Sequence, residues 1–240
     1  MEYRLKSYVV EFRNRFGYNS SEPIHFNSLL QRLDVLTVFK PLSDNFSGLS
    51  FKRNESNFML VNSDHSLGRQ NFTIGHELYH LYYDKEFTPH KCQTGQFPRK
   101  NTTERMADIF ASHLLLPEEG ILPLIPENEL GRDQISLATL LKIEQTYASS
   151  RSALLYQLSK MDLVSKSYFE KHSTHIKSGA HQHGYSIDLY QPSAERVLLG
   201  TFGSLANKLF ENDQISESHY HELMLSIGVD MSEIMPDEND

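Results

Sequence analysis

The sequence predicts an α+β fold in which a small three-stranded sheet packs against helices. Three short segments, at residues 35–39, 48–52 and 57–61, are apolar or alternate in polarity between Pro, Gly or polar residues, which is the pattern of β-strands. The segments before and after them repeat apolar residues every three or four positions, as amphipathic helices do. Hydrophobic residues make up 39% of the 240 residues, so the chain can bury a proper core.

Two helices are expected before the strands. Residues 2–16 form an amphipathic helix that ends at Gly17, and its apolar members are Tyr3, Val9, Val10, Phe12 and Phe16. A second, short helix is expected at residues 26–33. The three strands that follow would form an antiparallel or mixed sheet.

The most informative pattern, His76-Glu77-Leu78-Tyr79-His80, lies in the helical segment that follows the strands. Residues four positions apart lie on one helix face, so His76 and His80 can both offer a ring nitrogen to one metal ion. Glu77 is next to the first of these ligands, within reach of a water on that ion. Thr73 is the candidate for the residue that caps or begins this helix. The alternative is a buried amphipathic helix that carries two histidines by chance.

A later helical segment supplies two further carboxylates. Residues 103–116 repeat apolar side chains at helical spacing, and Pro117 ends the pattern. Glu104 is the candidate third metal ligand, and Asp108, one turn further on, is the candidate acceptor for the free N–H of a metal-bound imidazole. Alternatively, Glu104 only favours the positive end of the helix and Asp108 is solvated.

The stretch from residue 47 to residue 117 resembles the ImmA/IrrE metallopeptidases. The positions that carry the resemblance are Val61, Asn62, Arg69, Phe72, Thr73, Ile74, His76, Glu77, His80, Glu104, Ala107, Phe110, Ala111, Leu114, Leu115 and Pro117. The chain departs from the family pattern at Asp108, where Asn is usual, and at Tyr79 and Leu116, where Gly and Met are common.

This resemblance implies a zincin-like core that holds one Zn²⁺ ion at His76, His80 and Glu104. Glu77 would then be the general base for hydrolysis of a peptide bond, and Asp108 would orient a ligand imidazole. Relatives of this kind cut repressors of the helix-turn-helix type. The resemblance therefore also implies a specific protein substrate, a helix-turn-helix repressor.

Two other parts of such a site have candidates in the sequence. Peptidases of this class offer the edge of a sheet to the substrate backbone, and residues 57–62 are the candidate edge strand, with an ordinary packed strand as the alternative. A donor to the developing oxyanion is also needed. The candidates are Tyr79, Tyr82, Tyr83, His90 and His113.

We expect three domains: a metallopeptidase core at 1–130, a helical extension at 131–175 and a C-terminal, partner-binding subdomain at 176–240. Within the last two, the pattern predicts a hydrophilic, histidine-rich loop, a strand and two helices. These segments are 172–184, 185–190, 195–211 and 217–227, in that order.

The helical extension resembles a helix-turn-helix, because two apolar helical sets flank the cap-like run Ser149-Ser150-Arg151-Ser152. DNA binding would require clustered cations on the second helix. Arg151 and Lys160 stand nearly alone there. A packing or protein-docking role is therefore the favoured interpretation.

Composition narrows the class of protein. The net charge of −8 argues against a broad nucleic-acid surface. No apolar run approaches the roughly 20 residues that span a bilayer, and the N-terminus lacks a signal-peptide core. The single cysteine, Cys92, excludes an intramolecular disulfide and is interpreted as a bystander in a linker. We therefore expect a cytoplasmic protein without a nucleic-acid or membrane partner.

Two other functional classes remain open on the sequence. One is a non-catalytic zincin scaffold, or a toxin–antitoxin component, that binds a partner protein; the intact Glu77 argues against it. The other is a DNA-binding regulator built around residues 134–171, against which the low positive charge of that segment argues.

Overall fold

The structure, a computed structural model, describes residues 2–53, 56–84, 102–194, 196–198 and 202–226. The helices of these residues are α1 (Glu2–Arg15), α2 (Phe26–Arg32), α3 (Leu67–Tyr83), α4 (Thr102–Leu115), α5 (Glu118–Ile121), α6 (Leu137–Tyr147), α7 (Arg151–Lys160), α8 (Lys166–His172), α9 (Ile176–Gln182), α10 (Phe202–Glu211) and α11 (Glu217–Ser226). The strands are β1 (Val35–Lys40), β2 (Gly48–Arg53), β3 (Ser56–Asn62) and β4 (Arg196–Leu198). Short 3₁₀ turns occur at Leu122–Leu124, Glu127–Glu129 and Asp188–Tyr190.

The three predicted strands form a mixed sheet, which confirms the α+β fold. β3 pairs in parallel with β1 and antiparallel with β2, and the three-residue β4 extends the sheet beyond β1. The strand order is β2-β3-β1-β4. The prediction that residues 57–62 form an edge is therefore wrong, because β1 and β2 occupy both sides of β3. The edge on that side of the described sheet is β2.

The parallel pairing of β1 and β3 requires the chain to return across the end of the sheet, and Asn62 holds that return loop. Its Nδ2 donates to the carbonyl oxygens of Leu42, Ser43 and Phe46 at 3.2, 3.1 and 2.8 Å. Its Oδ1 accepts from the backbone N–H groups of Leu42 and Asp64, both at 3.0 Å. One buried amide thus fixes the loop that leads into β2.

The core lies between the sheet and the helices that pack on it. α3 packs against β2, β3 and α4, and α1 packs against α4. In α1 the buried apolar residues are Leu5, Val9 and Phe12. Tyr3 and Val10, which the sequence placed on the apolar face, are instead 91% and 51% exposed. The apolar stripe of α1 is therefore narrower than its sequence suggested.

The helix-turn-helix-like pair is present as predicted. Ser136 caps α6 by accepting from the N–H of Thr139 at 3.2 Å, and Ser150 caps α7 by accepting from the N–H of Ala153 at 3.3 Å. Between them Ala148 has a left-handed backbone, with φ of 48°. Serine caps of this kind satisfy backbone donors that the first helical turn leaves open.

After α8 the structure differs from the sequence prediction in three places. The histidine-rich segment 172–184 contains α9 rather than forming a loop. Residues 185–190 form no strand and instead contain the 3₁₀ turn Asp188–Tyr190. Within the segment predicted as a helix at 195–211, the described residues form β4 and α10. The helix predicted at 217–227 corresponds to α11.

A shared apolar cluster explains two of these differences. Leu189 and Tyr190 are buried together with Ala180 of α9 and Leu141 of α6. The apolar residues at 185–190 pack in this cluster and do not form a strand. The edge of β1 at which a further strand could pair is occupied by β4. Three parts of the segment that the sequence assigned to a C-terminal subdomain thus contact earlier elements: α9 and Leu189–Tyr190 pack against α6, and β4 joins the sheet.

Several predictions concern residues outside the described ranges, including the oxyanion candidate His90 and the bystander Cys92. Within the described ranges, no helix combines the length and apolar character that crossing a bilayer requires.

Candidate metal centre

The His76-Glu77-x-x-His80 motif lies in the second half of α3, which passes through the interior of the molecule. The helix begins at Leu67, after Ser66. Thr73 therefore neither caps nor begins it. The Thr73 side chain lies inside the helix and donates from its hydroxyl to the carbonyl oxygen of Arg69 at 3.0 Å.

A glycine allows α4 to approach the motif. A Cβ atom placed on Gly75 would lie 3.3 Å from both Cα and Cβ of Ala111, so the two helix backbones are in close contact there. This approach brings the first turns of α4, with Glu104 and Asp108, to the imidazoles of α3.

Three donor groups meet at this crossing. The Nε2 atoms of His76 and His80 are 3.2 Å apart. The two carboxylate oxygens of Glu104 lie 3.4 Å from His76 Nε2 and 3.2 Å from His80 Nε2. A tetrahedral zinc ion with bonds of about 2.0–2.1 Å separates its ligand atoms by about 3.3 Å. The three side chains are buried, and one ligand atom from each lies within 4.8 Å of the other two, so together they could hold one metal ion.

Each of the two imidazoles has a carboxylate oxygen within hydrogen-bonding distance of its Nδ1 atom. His76 Nδ1 is 2.9 Å from Asp108 Oδ1, and His80 Nδ1 is 3.0 Å from Asp84 Oδ2. A carboxylate accepts a hydrogen bond from Nδ1–H, so in both neutral rings the Nε2 atom carries the lone pair. Two nitrogen lone pairs and a carboxylate then face one point, an arrangement that a cation stabilises.

Glu77 lies beside these donors but is held by the sheet. Its Oε2 accepts a hydrogen bond from Ser50 of β2 at 2.7 Å. Its Oε1 has no hydrogen-bonding partner among the residues that the structure describes. The buried carboxylate therefore keeps one oxygen available for a proton.

The comparisons agree with this geometry. The family model of the IrrE N-terminal-like domain, a peptidase family, matches residues 30–159, more than half of the chain. The chain belongs to this family. The resemblance to the ImmA/IrrE metallopeptidases is thereby confirmed. The matched region includes α3 and α4, which carry the candidate ligands, and α6 with all but the last residue of α7. No curated protein matches the chain.

In this IrrE-like metallopeptidase, two of the described oxyanion candidates donate their hydroxyl protons to other groups. Tyr79 donates to the sulfur of Met106 at 3.6 Å, and Tyr83 donates to the backbone oxygen of Tyr8 at 3.1 Å. Burial raises the pKa of Tyr79 and raises that of Tyr83 to about 12, so both hydroxyls keep their protons.

The other two described candidates are Tyr82, which packs against an aromatic ring, and His113, which lies beside a polar side chain. Tyr82 packs edge-on against Phe12, and burial raises its pKa. His113 Nδ1 is 3.3 Å from Gln157 Nε2. Which residue would donate to the oxyanion therefore stays a prediction.

The cations of the helix-turn-helix-like pair also differ from a DNA-reading surface. Arg151 is buried and pairs through Nη2 with Glu144 Oε2 at 3.2 Å, while its Nη1 donates to the carbonyl oxygen of His172 at 3.0 Å. Its role is thus internal packing, which leaves Lys160 as the exposed cation of α7 that the sequence had singled out.

Proposed function

We propose that the protein is a zinc-dependent endopeptidase that cleaves one specific protein, a helix-turn-helix repressor, and so regulates transcription. The observation that carries the proposal is the buried group of His76, His80 and Glu104 donors, 3.2–3.4 Å apart, beside a glutamate with one unengaged oxygen. The repressor substrate is supported by the motif resemblance to ImmA/IrrE peptidases.

The donor set favours zinc among the common biological cations. Two imidazoles and one carboxylate match the His₂Glu sets of catalytic zinc sites, whereas Mg²⁺ and Ca²⁺ prefer oxygen ligands. When bound, the ion would polarise the scissile carbonyl and lower the pKa of a coordinated water toward about 7.

Glu77 moves the proton. Its Oε1 accepts a proton from the water that attacks the carbonyl carbon and then delivers this proton to the leaving amide nitrogen. Asp84 and Asp108 keep the Nδ1 protons on the two imidazoles, so both rings stay oriented throughout the reaction.

The substrate backbone would pair with β2. Its outer side is an edge of the described sheet, and its central residue, Ser50, contacts Glu77. A peptide added as the next strand would therefore lie near the general base. β2 replaces residues 57–62 in this role.

Replacement of Glu77 tests the proposal. Glu77→Gln is expected to bind one zinc ion per chain, as the parent does, and to cleave roughly 10²–10⁴-fold more slowly, because the general base is lost. Helix-turn-helix repressors from the same genome are incubated with zinc-loaded protein, cleaved bonds are mapped by mass spectrometry, and zinc is measured by elemental analysis.

The matched control is Glu170→Gln, which removes an exposed carboxylate and should cut at the parental rate. Parental cleavage by Glu77→Gln would refute the general-base assignment. A parent that binds zinc and a repressor but cuts nothing would favour the non-catalytic scaffold instead.

A further inference from the structure

The contact between Ser50 and Glu77 begins with the alternation of side chains along β2. Successive residues of a strand point to opposite faces, so Gly48 and Ser50 share the face toward α3. Both are buried, and Ser50 pairs with the buried Met59 of β3. The strand therefore presents only two small residues where it crosses the catalytic motif.

The Ser50 hydroxyl has one proton, and the geometry directs it at the carboxylate. Its Oγ lies 2.7 Å from Glu77 Oε2 and 3.5 Å from the backbone oxygen of Glu77. A hydrogen bond to an ionised carboxylate is about twice as strong as one between neutral groups. Both side chains are at most 1% exposed, so water does not compete for this bond.

Gly48 bounds the other side of the same carboxylate. A Cβ atom at this position would lie 2.5 Å from Thr73 Cγ2 and 3.3 Å from Glu77 Oε1. Any side chain would therefore push on the helix and crowd the oxygen that Ser50 leaves open. The strand thus holds Oε2 and leaves space at Oε1.

We propose that Ser50 is a positioning residue for Glu77: its hydroxyl holds Oε2 so that Oε1 is aimed at the attacking water. This inference rests on the proposed peptidase function and adds to it a residue outside the helical motifs. A carboxylate free to rotate about its last side-chain bonds would spend less time in the reactive geometry, and a misplacement of about 1 Å can lower a rate roughly a hundredfold.

The competing role is a serine that only stabilises the fold. Ser112 provides the matched control, because it is also buried and its Oγ donates to Gln157 Oε1 at the same distance, 2.7 Å. Ser50→Ala and Ser112→Ala each remove one buried hydrogen bond of equal length, but only Ser50→Ala frees Glu77.

The experiment compares the parent, Ser50→Ala, Ser112→Ala and Glu77→Gln as zinc-loaded full-length proteins. The substrate is a quenched-fluorescence peptide that spans the bond mapped in the repressor experiment. Zinc dissociation constants are measured by chelator competition, and melting temperatures report folding. If Ser50→Ala does not fold, Ser50→Cys, which keeps the size but donates weakly, takes its place with the same expectations.

For Ser50→Ala we expect kcat to fall about tenfold to a hundredfold, with KM and the zinc dissociation constant within about twofold of the parent. Ser112→Ala should keep the parental kcat. A kcat of Ser50→Ala within about twofold of the parent would overturn the inference, as would an equal fall in Ser112→Ala or a fall that accompanies weaker zinc binding.

Different results would contradict the positioning role of Ser50 and the peptidase function. An active parent, an inactive Glu77→Gln and a parent-like Ser50→Ala would remove the positioning role alone. An inactive parent or an active Glu77→Gln would remove the peptidase assignment itself.

Discussion

The imidazoles of the two candidate ligands are each hydrogen-bonded to a carboxylate, one on α4 and one directly after α3. Asp108, on α4, holds His76, and the sequence identified it as an acceptor for such a ring. Asp84, just after α3, holds His80 and was missed. A signal was present, because Asp84 is four positions beyond His80 and so can reach the same helix face.

Removal of the Asp84 carboxylate should weaken metal binding. Asp84→Ala is expected to raise the zinc dissociation constant roughly tenfold to a hundredfold, because the His80 ring loses the group that fixes its tautomer and orientation. Competition with a chromophoric chelator measures this change. Asp64→Ala, which removes an exposed carboxylate, should bind zinc as the parent does. Equal affinities for Asp84→Ala and the parent would contradict the orienting role.

At the scale of elements, a buried ion pair joins α6, α7 and the segment that follows α9. Arg151 donates to both oxygens of Glu144, and Tyr190 donates to Glu144 Oε2 at 2.7 Å. Burial raises the pKa of Glu144, and the bonds from Arg151 and Tyr190 oppose that rise. Sequence periodicity predicted the two helices but could not show that Arg151 points inward, because a charged residue at the start of a helix is usually solvated.

Breaking this pair should destabilise the fold strongly. Arg151→Met leaves the buried Glu144 carboxylate without its cationic partner, and we expect the free energy of unfolding to fall by about 3–5 kcal/mol. Urea denaturation of the metal-free protein measures this change. Lys160→Met, on the exposed side of α7, should change stability by no more than about 0.5 kcal/mol.

A double variant separates the ion pair from simple packing. Glu144→Leu combined with Arg151→Met removes both charges and should recover much of the stability that the single variant loses. A single Arg151→Met variant as stable as Lys160→Met would show that the pair contributes little.

At the scale of the whole molecule, the proposed zinc site connects helices that are separated along the chain. His76 and His80 lie on α3 and Glu104 on α4, so an ion bound by all three would hold the two helices together at the centre of the core. A ligand that binds only the folded state stabilises that state by mass action.

Zinc removal should therefore lower global stability. At free zinc about a thousandfold above its dissociation constant, the folded state should gain about 4 kcal/mol, which a chelator abolishes. Thermal denaturation with and without chelator measures the shift, and Glu77→Gln should show the parental shift because it keeps all three ligands. His76→Ala should show little or none. A full zinc-dependent shift in His76→Ala would place the ion elsewhere.

The predicted domain boundaries at 130/131 and 175/176 remain predictions. The segments around the second boundary are in mutual contact, since Leu189 and Tyr190 pack with Leu141 of α6 and β4 completes the sheet beside β1. Such contacts join residues that are far apart along the chain, so the local pattern of apolar and polar residues cannot predict them.

The sequence alone determined α1 to α4, α6, α7 and the strands β1 to β3, and it placed His76 and His80 on one helix face, because periodicity and a spacing of four residues are geometry within one element. The later helical segment offered Glu104 as the candidate third ligand, and the motif resemblance implied the same residue. Tertiary structure alone decided that β2 is the sheet edge, that Ser50 contacts Glu77, and that α9 and β4 replace a loop and part of a helix. Each of these depends on which distant segments come into contact, and the close approaches at Gly48 and Gly75 arise only when the chain is folded.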